Sequence, residues 1–384
     1  MLNFDYYRPT RILFGKGMIS QLSGQLPRDK KILVIYGGGS VKTNGVYDQV
    51  VAALEGFNYT EFWGIEPNPE YETCMRAVEL IKRKGAEFLL SVGGGSALDA
   101  TKFIAAAAKY EGEDPYDIIT KGAEVKAALP LGDVITLPAT GSEMNGNSVI
   151  SRASMGTKLF FASEKVYPQF SIIDPETTFS LPVRQTVNGV VDTFVHTMEQ
   201  YCTYDVNTPL QDEWMLGLMR VLISEAPKVL ADPNDYDARA NLFWCATCGL
   251  NFFMSLGCVQ DWSTHNIGHE LTAAYGLDHA QALAVVLPRL LQTQKANKAE
   301  KLAKIAREVF CHAEENEIKA AGVAIYKIEE FFGSIGMKTH LSDYGVDRAE
   351  AAEKTRRNLA ARGVRLGEHA NITADVAYEI IMGS

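Results

Sequence analysis

The sequence predicts two domains of different class. An α/β domain on a doubly wound parallel sheet is expected over residues 1–179, and an all-α domain over 180–384. Three observations predict it. Up to about residue 180, short β-branched runs alternate with helical ones, the pattern of a parallel sheet covered on both faces. Beyond it, helical periodicities follow one another with little that reads as strand. Between them, Pro175 and Pro182 punctuate the stretch 174–181, where the boundary is placed. A chain of 384 residues also exceeds one core of ordinary size.

In order, KILVIYG (31–37) is apolar, β-branched and ends in glycine, so it reads as a strand; GVYDQVVAALEGF (45–57) has helical spacing. TEFWGI (60–65) is the next strand and YETCMRAVELIKRKGA (71–86) an amphipathic helix with its charges on one side. FLLSVGGG (88–95) repeats the strand-to-glycine pattern and opens into the helix SALDATKFIAAAA, with Ser96 as the expected N-cap. DVITLPAT and FSIIDPE supply further strands, and SVISR with TKLFFA a small antiparallel excursion. In the second half ADPNDYDARANLFWCATCGLNFF, KAEKLAKIAREVF and KAAGVAIYKIEEFFGSIG all favour helices.

A hydrophobic content of 47% with 22% charged residues describes an ordinary globular protein. The formal charge of -10 argues against a nucleic-acid partner, whose phosphates attract basic surfaces. The longest apolar stretch, ATCGLNFFMSLGCV, is short of a membrane span, and MLNFDYYRPTRILFGKG lacks the pattern of a secretory leader. Six scattered cysteines make no disulfide framework, so a reducing cytoplasm is expected. The C-x-x-C spacing of Cys245 and Cys248 lies inside an apolar helical run and reads as packing.

GGGS occurs twice, at Gly37, Gly38, Gly39, Ser40 and at Gly93, Gly94, Gly95, Ser96, each time straight after an apolar strand. Glycines let a ligand approach bare backbone, and the N–H groups opening a helix suit a phosphate. The spacing is not G-x-G-x-x-G, so the usual Rossmann reading does not transfer. Asp99 and Lys102 follow in the first turns of the helix, where either could touch a ligand, cap the helix or pair at the surface. The loop PATGSEMNGNS (138–148) offers Thr140, Ser142 and Asn145 as hydrogen-bonding groups for a nucleotide, though small polar residues are also what loops contain.

In the helical half, Asp192 and His196 stand four apart in GVVDTFVHTMEQY, so both side chains reach one point in space. The bland reading is a hydrogen-bonded buried pair; the sharper one is half of a metal site. Three of the chain's seven histidines, His265, His269 and His279, fall within DWSTHNIGHELTAAYGLDHAQ. The cluster favours metal, and a nitrogen and oxygen set without thiolate suits iron(II) or zinc, and also nickel or cobalt, better than calcium or magnesium. Five candidates exceed a four-ligand site, so one has another task; His269, a turn from His265, could relay a proton. His312, His340 and His369 stand alone among charged residues and read as exposed.

D-x-x-x-H at 192–196, the histidines at 265–279, GGGSALD, PATGSE, GGGSVK, IEPNP, GVVDTFVHTMEQY and GLDHAQ occur in order over nearly the whole chain. In this it resembles the iron-containing alcohol dehydrogenase family, in particular its butanol-dehydrogenase-like branch of NADPH-dependent aldehyde reductases. The resemblance implies an N-terminal dinucleotide-binding domain, a C-terminal helical domain and the two-domain plan shared with dehydroquinate synthase. By matching position it implies metal ligation by Asp192, His196, His265 and His279, with His269 in the pocket. Gly93, Gly94, Gly95 and Ser96 would hold the pyrophosphate, with Asp99 nearby. Asn68, Thr136, Thr140, Ser142, Asn145 and Lys158 would line the rest of the cofactor groove. The first glycine turn reads GGGSVKTNG, with Ser40 and Lys42 and no acid to repel a 2′-phosphate, so NADP(H) is the expected cofactor. The implied reaction is reversible hydride transfer between NADP(H) and a small aldehyde or primary alcohol, by a homodimer or higher oligomer. Two other classes remain: a dehydroquinate-synthase-like lyase and a metal-activated-water hydrolase. The lyase expects a basic pocket, whereas residues 245–290 hold no lysine and one arginine, Arg289.

Overall fold

The computed structural model describes all 384 residues, Met1–Ser384. The chain forms two compact units, one of Tyr7–Pro182 with Asp232–Thr247, the other of Met1–Tyr6, Val183–Ala231 and Cys248–Ser384.

The first unit runs β1 (Arg11–Phe14), β2 (Ile32–Tyr36), α1 (Ser40–Thr43), α2 (Val46–Ala53), β3 (Tyr59–Phe62), α3 (Tyr71–Lys84), β4 (Phe88–Gly93), α4 (Gly95–Ala107), α5 (Asp117–Thr120), β5 (Leu131–Ile135), β6 (Asn147–Arg152), β7 (Thr157–Ala162) and β8 (Phe170–Ile173). Six strands form one sheet in the order β1-β8-β5-β4-β2-β3, every pair parallel. β6 and β7 make a separate antiparallel pair. The four inner strands are buried along their whole length, and the edge strands β1 and β3 only in part.

Alternation along β2 shows how both faces are covered. Leu33 and Ile35 point into a core with Cys74, Ala77 and Val78 of α3 and Leu98 and Phe103 of α4. Ile32, Val34 and Tyr36 point into a second core with Ile19, Leu22 and, from α2, Val46 and Val50. This is the doubly wound arrangement expected. After β2 the chain moves outward to β3, then returns past β2 to β4 and continues to β5. The order therefore reverses between β2 and β4, and ligands of open α/β sheets gather at such a point, beyond the carboxyl ends of the strands.

The remaining helices are α6 (Val183–Tyr201), α7 (Pro209–Ala231), α8 (Tyr236–Gly249), α9 (Ser263–Tyr275), α10 (His279–Thr293), α11 (Ala299–Lys304), α12 (Glu317–Ser334), α13 (Arg348–Ala361) and α14 (Ala374–Met382). In the second unit α6 packs against α7 and α10, and α9 against α10. Most of α8 belongs to the α/β unit, where Phe243 is fully buried in the core shared with α3 and α4. No helix is long and apolar enough to cross a membrane.

Candidate functional site

α6 is buried over most of its length, and one stripe of it is polar: Asp192, His196 and Glu199, at i, i+4 and i+7. α9 carries His265 and His269 and stops at Gly276, whose φ of 68° ends the helix in a left-handed turn. His279 opens α10 directly after Asp278, which caps the helix with Gln281 in a reciprocal capping box. Asn188 of α6 donates to the same Asp278 carboxylate at 2.9 Å, so the turn that delivers His279 is tied to the helix that delivers Asp192.

The side chains converge on one atom. Asp192 Oδ1 lies 3.5 Å from His196 Nε2, 3.7 Å from His265 Nε2 and 3.6 Å from His279 Nε2. Asp192, His265 and His279 form the tightest group, with ligand atoms within 4.8 Å of one another. The His196 ring stacks on His265, centroids 4.7 Å apart. The His269 ring stands 5.2 Å from that of His279 and 6.1 Å from that of His265, beside the group.

These donors fit a metal. Two ligands at 2.0–2.1 Å from a tetrahedral ion are about 3.4 Å apart, close to the observed separations. Asp192 Oδ1, His196 Nδ1 and His265 Nε2 are buried and have no hydrogen-bond partner in the protein, a costly state that an ion at their centre relieves for the two atoms facing it. Burial lowers the His196 imidazole to about 4, so it is a neutral donor at physiological pH. Burial is the strongest single influence on His265 and opposes its charge, but the Glu199 and Asp192 carboxylates together outweigh it and raise the group to about 9 in the metal-free chain. His312, His340 and His369 are exposed, as read.

In the α/β unit the two glycine turns leave neighbouring strands at the same level, since Tyr36 pairs with Val92. Gly93 has a φ of 153°, and its carbonyl accepts from the Thr136 N–H at 2.9 Å. A Cβ on Gly95 would stand 2.4 Å from Thr140 Oγ1 and 2.8 Å from its Cγ2, so only glycine fits beneath that loop. Ser96 is not the N-cap. Gly94 holds that place without a side-chain cap, and α4 begins at Gly95, which leaves the first backbone N–H groups bare.

Asp99, Ser142 and Asn145 turn toward one another and not outward. Lys102, fully buried, donates to Ser142 O and Oγ at 2.6 and 2.7 Å, to Asn145 O and Oδ1 at 2.8 and 3.1 Å, and to Asn147 O at 2.9 Å. Ser142 Oγ donates in turn to Asp99 Oδ1 at 2.6 Å, and Asp99 Oδ2 accepts from the Val149 N–H at 3.0 Å. Burial pulls the Lys102 ammonium down to about 8. Lys158 donates to Asn68 Oδ1 at 2.8 Å, with Asn68 itself at a φ of 57°. At the first turn Ser40 is exposed, and Lys42 Nζ lies 4.0 Å over the Trp63 ring.

Residues 9–175 match the iron-containing alcohol dehydrogenase model, and residues 186–381 match the C-terminal model of the same family. The chain belongs to the iron-containing alcohol dehydrogenase family. Within it, the chain is 50% identical over 382 residues to the NADPH-dependent aldehyde reductase YqhD of Escherichia coli K12, covering 99% of each. The crystal structure of YqhD superimposes with a TM-score of 0.97 at 49% identity, covering 100% of this chain and 98% of that one. NADH-dependent butanol dehydrogenase A of Thermotoga maritima follows with a TM-score of 0.94 at 34% identity, over 100% and 98%. The parallel sheet and the separate helical half are thus those of an iron-containing alcohol dehydrogenase.

Two contributors escaped the sequence reading. Glu199 continues the stripe of Asp192 and His196 by one turn, and that i+7 spacing was the available signal. Trp63 and its neighbours Tyr36 and Tyr47 form an aromatic cluster under Lys42, with Tyr36 stacked on Trp63 at 4.0 Å. No periodicity announces that cluster.

Proposed function

We propose that this chain catalyses reversible hydride transfer between NADP(H) and aldehydes or primary alcohols, with Asp192, His196, His265 and His279 holding a divalent metal, iron(II) or zinc. The observation that carries this is the approach of three imidazole nitrogens to one buried carboxylate oxygen, in a chain half identical throughout to an NADPH-dependent aldehyde reductase. When bound, the metal supplies Lewis acidity to the substrate oxygen and the nicotinamide supplies or takes the hydride.

The chain's own residues do the rest. Asp192 brings the negative charge that retains a dication, and the neutral His196 donates without a proton to lose. His269, beside His265 and His279, carries a proton to or from the alcohol oxygen. Gly93 and Gly94 make the turn, and Gly95 and Ser96 present the bare N–H groups that open α4 to the pyrophosphate. Gly37, Gly38 and Gly39 let the cofactor approach backbone, and Ser40 with Lys42 meets the 2′-phosphate. Thr136, Thr140, Asn68 and Lys158 line the groove, while Asp99, Ser142 and Asn145 shape its loop through Lys102.

We place the enzyme in the cytoplasm, which the free thiols of Cys74, Cys202, Cys258 and Cys311 support. We also expect a homodimer or higher oligomer, supported by the exposed Leu2, Phe4 and Tyr7 near the N-terminus. Neither the lyase nor the hydrolase alternative draws support from the relatives found.

The test is direct. Protein loaded with zinc or iron(II) should oxidise NADPH one-for-one with added butanal, and Asp192→Ala and His265→Ala should abolish it while remaining folded. Metal-loaded protein that leaves NADPH untouched with a range of small aldehydes, or full activity in both variants, would overturn the reading.

A further inference from the structure

Glu199 is 5% exposed, and both of its carboxylate oxygens face a single residue. Oε1 accepts from the His265 backbone N–H at 3.1 Å, and Oε2 is paired with His265 Nδ1. The Glu199 carbonyl accepts from the Asp261 N–H at 2.9 Å, so the segment entering α9 is fastened to α6 at more than one point. The far nitrogen of the ring, Nε2, is the one with no hydrogen-bond partner, 3.7 Å from Asp192 Oδ1. That separation is too long for a hydrogen bond and right for two ligands of one ion. His196 differs, since its Nδ1 is buried with no such partner.

We propose that Glu199 is a positioning residue for the metal centre. An ionised carboxylate only accepts hydrogen bonds, so it fixes the proton of the neutral His265 ring on Nδ1 and leaves the Nε2 lone pair facing the ion. The backbone bond at Oε1 sets the height of the ring, and the negative charge behind the imidazole strengthens Nε2 as a donor. α6 thus contributes two ligands, Asp192 and His196, and from its next turn orients a third that α9 carries.

The inference rests on the metal-site reading above, and metal binding without substrate separates the two. Metal-free wild type, Glu199→Gln and Glu199→Leu are titrated with cobalt(II), read by its visible absorption and by competition with a chelator. Gln keeps an acceptor for the Nδ1 proton without the charge, and should weaken binding about 10-fold; Leu removes both, and about 100-fold is expected. The cobalt spectrum should shift in the Leu variant and be largely restored by Gln. In a His265→Ala background, Glu199→Gln should change nothing further, since it acts through that ring. Wild-type affinity and spectrum in both variants would overturn the role while leaving the four-ligand site standing. So would an equal loss in the His265→Ala background, or a weakening in Glu199→Gln matched by melting of its metal-free fold. Wild type that takes up no cobalt at all would overturn the metal site and this inference together.

Discussion

Lys42 stands out among the surface cations because its position is prepared. Its ammonium lies over Trp63, which stacks on Tyr36 and donates from its indole N–H to Glu61 at 2.9 Å. A cation held beside the first glycine turn favours a 2′-phosphate over a bare ribose. Lys42→Ala should therefore raise the KM for NADPH about tenfold, on the order of 1.4 kcal/mol, and leave that for NADH unchanged; steady-state kinetics with both cofactors decides it. A second single-site prediction concerns Asp133 in the middle of β5, fully buried, with Oδ2 accepting from Ser171 Oγ at 2.7 Å. Burial raises its carboxyl well above the usual range, so the folded chain holds this proton at pH values where the unfolded chain has released it. Stability linked to the group is thus complete below about pH 4 and is lost as pH rises toward the folded value. Asp133→Asn keeps the acceptor and removes the titration. Its melting temperature should exceed wild type by about 2–4 °C at pH 8, with the advantage gone at pH 4. The histidine cluster was visible in the sequence because four of the chain's seven imidazoles fall in two short segments that otherwise read as helix. Glu199 shares the helical stripe of Asp192 and His196, but its role was not legible because the ring it holds lies 66 positions away.

α4 shows what an element contributes beyond its periodicity. Its helical run was plain in SALDATKFIAAAA, yet the expected cap at Ser96 gave way to Gly94 because backbone, and no side chain, closes that end. The cost of altering it is steric. Gly95→Ala places a methyl carbon 2.4 Å from Thr140 Oγ1 and forces the 138–148 loop away from the helix start. The expected result is a tenfold or greater rise in the NADPH Kd, measured by cofactor fluorescence, with metal binding unchanged. The strands β2, β3, β4, β5 and β8 and the β6–β7 excursion were equally legible, whereas RILF, the half-exposed edge strand β1, was not read as one. The neighbours of each strand were not legible. A run such as ILVIY announces burial on both faces, but nothing in it states that β4 and not only β3 lies alongside. α8 was likewise read as a helix, while the core that Phe243 joins is built from residues 70 or more positions earlier.

Across the whole molecule the metal should act as a fold ligand as well as a reagent. An ion at a hundred times its Kd adds about 2.7 kcal/mol to the state that binds it. Chelation should accordingly lower the melting temperature of wild type and leave that of His265→Ala where it already was, as calorimetry will show. Two-domain organisation was legible from the change of texture near residue 180, but the return of 232–247 to the α/β unit was not, since helical spacing looks alike in either. One consequence follows from the single helix that carries Asp192, His196 and Glu199. Because α6 presents Asp192 and His196 on one rigid rod, and Glu199 of the same rod holds the His265 that α9 carries, three of the four donors stand assembled before any ion arrives. A ready-made cage of oxygen and nitrogen accepts late first-row dications in the order set by their intrinsic affinities, and does little to refuse the wrong one. Enzyme eluted from a nickel resin will then carry nickel, and its apparent turnover will record how it was purified as much as what it evolved to do.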